Sequence, residues 1–380
     1  IGGVVYVFMI SLFVMVLSCA LGWAVAKISL KLKHKSFTTV LLSLAFIGLY
    51  YFFYFKAQEV IADVVANAAV YGTAIRAKFQ PLYVFGNAAT GDWASIALFS
   101  AFTLILFAIT ALVLERSFLS IATATGKTSR VQYHEKRVNL RSLPRTMLAK
   151  EFRRFTASPN YMLNCGLSTL FLPLAAVAVV WKGRDLIATA SLLFKGETAA
   201  LPVLLAAAIC LIASMNDSAA PSVSLEGKNL WLAQSLPIPA WEALRAKLRV
   251  QLLITMPGVA LCGVCAAIVC PAGSLERVLM VAFPLSFALL TALIGLSIGL
   301  KGANVNWTSE LMPVKQSMPV FVALFGGWLL SIAFGGLWFL AGKRIGGGAY
   351  MLIATAIALL ASGLLYRWLK TRGAVKFAEL

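Results

Sequence analysis

V-L-M-V-A-F-P-L-S-F-A-L-L-T-A-L-I-G-L-S-I-G-L, residues 278–300, runs for 23 residues without an acid, a base or a histidine. As a helix rising about 1.5 Å per residue it is long enough to cross the roughly 30 Å hydrocarbon core of a bilayer. Eight further stretches read the same way: 4–26, 37–55, 94–114, 164–181, 199–214, 252–270, 319–341 and 349–366. The weakest is 199–214, which is short and opens near Pro202. All 47 Lys, Arg, Asp and Glu residues lie between these stretches. The pattern predicts an all-α, polytopic helical membrane protein with about nine transmembrane helices, joined by interfacial amphipathic helices.

Composition agrees. Of the 380 residues 61% are hydrophobic and 12% charged, against about 25% charged in an ordinary soluble domain. A mean hydropathy of +0.87 excludes a water-soluble enzyme, which has too much surface to hide that apolar excess. It equally excludes a disordered chain. The formal charge of +19 is read by side of the membrane. Loops 27–36, 115–163, 215–251, 301–318 and the tail 367–380 hold 24 of the 33 Lys and Arg and carry a net +16. The alternate loops carry a net +3. Basic loops stay inside, so the C-terminus is expected to be cytoplasmic. The charge is then topology plus attraction to anionic lipid, with no nucleic-acid partner implied. The natural location is the cytoplasmic membrane of a bacterium.

Spans 4–26, 37–55 and 94–114 echo spans 278–300, 319–341 and 349–366 in direction and loop character, a partial internal repeat. The division expected is a first-repeat part, 1–140, and a second-repeat part with the cytoplasmic helices, 141–380. Opening on Ile1 with an odd number of spans, the sequence leads us to expect further chain upstream, carrying a counterpart of 145–275.

Three loops hold the remaining information. In 145–158, Leu148, Phe152 and Phe155 recur at i, i+4, i+7, one face of a helix, with Lys150, Glu151, Arg153 and Arg154 around the rest and Pro144 and Pro159 bounding it. This is a basic amphipathic helix, either a lipid anchor or a lever moved by a soluble partner. In 215–251, Pro239 opens a helix with an apolar stripe of Trp241, Leu244 and Leu248. Arg245, Lys247 and Arg249 fall to its polar side, and the stretch up to Trp231 reads as a headgroup-level connector. In 301–318, Glu310 and Lys315 are spaced for a loose pair worth about 0–1 kcal/mol.

Motifs for chemistry are missing. Gly126-Lys127-Thr128 ends like a P-loop, but Ile121 stands where the first glycine belongs. Cys262 and Cys265 have C-x-x-C spacing inside an Ala/Val/Gly helix without a His or acid to complete a tetrahedral site, and read as packing residues. His34 and His134 lie in basic loops. The chain is therefore expected to be no enzyme and to bind no cofactor or metal of its own. Ion-driven carriers keep ionisable groups within the membrane, and the spans hold none, although Pro173, Pro257 and Pro284 are places where a helix breaks and exposes carbonyls. A motor partner is the preferred energy source, an ion-coupled secondary transporter the alternative, and a non-transporting membrane protein a third reading.

A resemblance points the same way. S-L-E-G-K-N-L-W-L-A-Q-S-L-P-I-P (224–239), K-E-F-R-R-F-T-A-S-P-N-Y-M-L-N (150–164), N-V-N-W-T-S-E-L-M-P-V-K-Q-S (304–317) and F-Q-P-L-Y-V-F-G-N-A-A-T-G-D-W (79–93) resemble the permease subunit of an ATP-binding-cassette exporter family with type-two-like permeases. The similarity runs from about residue 79 to 366, and the family's N-terminal portion is missing. It implies a separate cytosolic ATPase that holds ATP-Mg, contacted by Lys150, Glu151, Arg153, Arg154, Glu226, Lys228, Glu310 and Lys315. Whether that ATPase pairs with one copy of the chain or two is left open.

Overall fold

A computed structural model describes residues 2–31, 35–67, 80–123, 142–193 and 198–380. His34, His134 and the Gly126-Lys127-Thr128 stretch lie outside the described residues. Two compact units emerge, Ile1–Arg137 and Val138–Leu380, and among the described residues every regular element is helical.

The first unit comprises α1 (Gly2–Lys31), α2 (Lys35–Ala66), α3 (Gln80–Thr90) and α4 (Trp93–Ala122). α1 packs along α4 and α3 around Tyr6, Phe85 and Phe99, and the Tyr6 hydroxyl donates to the Phe85 carbonyl at 3.0 Å. Asp92 caps α4 by accepting from the Ser95 amide and hydroxyl, satisfying donors that a helix start leaves free. Between Thr39 and Ala66 no residue of α2 is buried within the unit.

The second unit holds α5 (Leu143–Ala157), α6 (Pro159–Cys165), α7 (Ser168–Leu193), α8 (Leu201–Ala213), a 3₁₀ turn (Ser224–Asn229), α9 (Leu230–Ser235), α10 (Ala240–Val269), α11 (Ser274–Lys301), α12 (Leu311–Lys315), α13 (Met318–Leu337, prolonged through a π turn to Ile345), α14 (Gly347–Trp368) and α15 (Ala374–Ala378). Prolines open α5, α6, α8 and α13, where the missing N–H costs nothing. Long α10, α11 and α14 pack side by side, with α7 and α8 against them. Their core is Leu172, Ala206, Val259, Cys262, Met280, Phe283 and Met351 with their neighbours, so Cys262 does pack as a small apolar residue. Pro173, Pro257 and Pro284 all sit inside continuous helices. Each triplet of the sequence-level echo packs alike, the first helix running mainly along the third: α1 on α4, and α11 on α14.

Among the described residues seven single helices are long and apolar enough to cross a membrane, or eight if α6 and the first part of α7, bent by 45°, count as one broken span. The stretch at 199–214 does not qualify. Its helix has 13 residues, about 20 Å at 1.5 Å per residue, and stops at Ala213 because the chain turns inward through Ser214, Asn216 and Asp217 instead of leaving the bundle.

Candidate functional site

From Asn216 to Gly227 every residue is buried, although the sequence reading puts this stretch in a headgroup-level loop. Backbone without helix or strand bonds is tolerated in such a place only when other groups satisfy it. Here one face of α10 does so. Lys247, Gln251 and Thr255, spaced i, i+4, i+8, point into the segment. Gln251 accepts from the Ala219 amide at 2.8 Å and donates to the Asn216 carbonyl at 2.7 Å. Lys247 donates to the Ser222 carbonyl at 3.1 Å. The Asn216 side chain donates to the Thr255 and Thr169 hydroxyls and accepts from the Ser168 amide, tying the segment to the start of α7. Tyr161 of α6 donates to the Ser218 carbonyl.

At its end the segment carries a buried ion cluster. Lys247 Nζ lies 2.6 Å from Glu226 Oε1 and 3.0 Å from Glu151 Oε2, and its side chain is wholly buried. Arg154 Nη2 lies 2.6 Å from Glu226 Oε2, and Lys150, half exposed, closes the group at 3.5 Å from Glu226. Burial alone would raise the Glu226 carboxyl. Lys247, Arg154 and Lys150 outweigh it and hold that carboxyl well below the usual carboxylate range. The cluster joins α5, the 3₁₀ turn and α10.

The third motif closes over the second. Trp307 Nε1 donates to the Ser224 carbonyl at 2.6 Å, and the Asn304 amide donates to Ser224 Oγ. The indole lies flush on Gly227, where a β-carbon would sit 3.0 Å from its ring. Gly227 has φ 57° and ψ −144°, a conformation essentially reserved for glycine. Gly227→Ala is therefore expected to cost about 1–3 kcal/mol and to loosen Trp307. Thermal unfolding with the intrinsic tryptophan signal checks this; a variant melting like the wild type would mean that the turn has room to relax. Val314 of α12 completes the contact, packing with Phe155, Tyr161, Cys165 and Leu225.

A family model described as "membrane protein of 12 TMs" matches residues 1–366. The chain belongs to this family of membrane proteins. No curated protein and no solved structure matches it.

In this member of the 12-TM family the eight residues singled out from the sequence divide. Lys150, Glu151 and Glu226 meet in the ion cluster, together with Arg154. Glu151 and Glu226 turn inward, and their side chains are 5% and 3% exposed. Arg153, Lys228 and Lys315 are exposed and Glu310 half-buried. Among the described residues none of these four has an ion-pair partner, so the loose Glu310–Lys315 pair does not form. Three expectations are corrected. The inward face of α5 is Met147, Glu151 and Phe155, with Phe152 exposed, because a buried ion pair draws Glu151 into the interface. Lys247 belongs to the buried side of α10, while Leu244 and Leu248 are buried as the stripe predicts. Asp217, assigned to an exposed connector, lies outside every spanning helix but is only 6% exposed. The signal that sequence reasoning passed over is the Lys247–Gln251–Thr255 stripe, polar at helical spacing.

Proposed function

We propose that the chain is the membrane-spanning permease subunit of an ATP-driven exporter, coupled to a separate cytosolic ATPase that holds ATP-Mg. The observation that carries this reading is the convergence of three motifs, 150–164, 224–239 and 304–317, on one ion-locked knot. A lever needs such a lock. With Glu151 and Arg154 of α5 tied through Lys247 and Glu226 to α10 and the unwound segment, a push on α5 is transmitted to α10 and α8 together. The three motifs leave Arg153, Lys228 and Lys315 exposed, and with them Phe152 and Trp231, a mixture suited to gripping a soluble partner. In this reading the basic-loop end and the C-terminus face the cytoplasm of a bacterial cell. The surrounding helices are apolar, which suits a lipid-like or amphipathic cargo.

The test is co-purification with an ATPase, then ATPase activity in proteoliposomes. Reversing Arg153 and Lys228 to glutamate is expected to reduce permease-dependent ATP hydrolysis at least about tenfold, the equivalent of ~1.4 kcal/mol of lost coupling, without moving the melting temperature. Should the protein purify alone and its transport persist without ATP under an ion gradient, the motor reading is replaced by a secondary carrier.

A further inference from the structure

Asp217 sits where the short helix α8 gives way to unwound backbone, and neither of its carboxylate oxygens has a hydrogen-bond partner. Its neighbours are committed elsewhere: the Asn216 carbonyl takes Gln251 and the Ser218 carbonyl takes Tyr161. The buried hydroxyls of Ser168 and Ser218 also lack partners. The segment that carries Asp217 starts inside the bundle. Ser214 lies against Gly327, nine residues along α13, or about 13 Å from the helix start.

Among the described residues no cation pairs with Asp217. From α6 the groups facing Asp217 are the Tyr161 phenol and the Cys165 thiol. On α10, Lys247 is held by Glu226 and Glu151; on α5, Arg154 is held by Glu226, with Lys150 at the edge of the same cluster. α8 has no charged residue, and α13 has none between Met318 and Leu337. α11 has none between Arg277 and Lys301, and Lys301 lies over the Trp368 ring. On α12, Lys315 is exposed. An ionised carboxylate without a partner in such surroundings costs far more than a neutral one, and the group takes a proton instead. Asp217 lies outside every spanning helix, and burial pushes its carboxyl well above the usual range.

We propose that Asp217 is a proton-binding site, holding a proton while segment 214–223 is closed in the bundle and releasing it when that segment opens. On release the O–H bond breaks, its electron pair stays on the carboxylate, and the proton passes to water at the basic-loop end; reprotonation restores the closed form. Broken helices with an ionisable group are where carriers place their coupling ions. The inference stands whichever source of energy drives the chain.

The experiment compares the full chain with Asp217→Asn in lipid nanodiscs, using choline as the only added cation. Because the folded state keeps a proton that the unfolded chain loses above about pH 4, the stabilisation is full below that value. It falls as pH rises toward the folded value, by up to about tenfold in the folded-to-unfolded ratio per pH unit. The wild type is thus expected to lose stability relative to D217N as pH rises above about 4. Infrared difference spectra at neutral pH are expected to show a protonated-carboxyl band that D217N lacks. Parallel stability curves, or no such band, overturn the proposal. So does sodium that stabilises the wild type but not D217N, which would make the site a metal-cation site. A D217N chain that fails to fold overturns it as well, since the amide is an uncharged isostere of the protonated acid.

Discussion

Replacing Lys247 by methionine is expected to destabilise the second unit by about 3–5 kcal/mol, the usual cost of removing one partner from a buried ion pair. The magnitude comes from what is left behind. Lys247 is the one fully buried cation of the cluster, within 3.0 Å of Glu151 and 2.6 Å of Glu226. Without it two buried carboxylates share Arg154 and the half-exposed Lys150, and the Ser222 carbonyl loses its donor. The loss should be non-additive: combining K247M with E226Q and E151Q is expected to recover part of it, because no buried carboxylate then goes unbalanced. The pH dependence has a definite sign. Glu226 is depressed in the folded state, so its stabilisation is present above about pH 4 and is lost as pH falls through the folded value. Acid protonates Glu226 more readily once Lys247 is gone, so the gap between variant and wild type narrows below about pH 4. Reversible unfolding in bicelles measures the difference; a K247M protein as stable as the wild type would show that the cluster does not hold α5 to α10.

Much of this architecture was legible because its physics is local. A long charge-free run has few alternatives, and all nine of the runs read from the sequence are helical. Pro144 and Pro159 bound the predicted α5, and Pro239 stands at the start of α10. What escaped depends on groups far apart in sequence. A run of Ser, Asn and Asp after an apolar stretch reads as an exit from the membrane. At 214–217 it is an entry into the protein, because Gln251, more than thirty residues on, satisfies its backbone and Thr255 accepts from the Asn216 side chain. Glu151 counts as polar in any periodicity argument, and only Lys247, 96 positions later, makes its side of α5 the inward one. Gly227 and Trp307 gave no local sign of each other, yet their contact unites two of the three motifs at the candidate site.

The closest approach in the unit leads to the second large effect. Gly299 of α11 lies directly under the unwound segment, and a β-carbon there would fall on the Ala220 carbonyl oxygen, with the Ala220 carbonyl carbon at 2.9 Å and its α-carbon at 3.1 Å. The obstruction is backbone, so no side chain can swing away. Either α11 or the segment must move. The segment is held by Gln251, Lys247, Asn216 and Tyr161, and α11 is packed along α10 and α14. Gly299→Ala is therefore expected to cost about 3 kcal/mol or more, at or beyond the top of the usual range for overpacking. One turn earlier, Gly295 provides the control. A β-carbon there meets nothing closer than 3.7 Å, ordinary contact, so Gly295→Ala should be neutral or gain up to about 1 kcal/mol from helix propensity. The two substitutions share chemistry, helix and face, and differ in whether backbone stands opposite. Unfolding of both variants in the same lipid separates packing from propensity: G299A melting as high as G295A would mean that segment 214–223 yields easily, and the rigid link from α5 through α10 to α8 would then have no stiff member to carry a push.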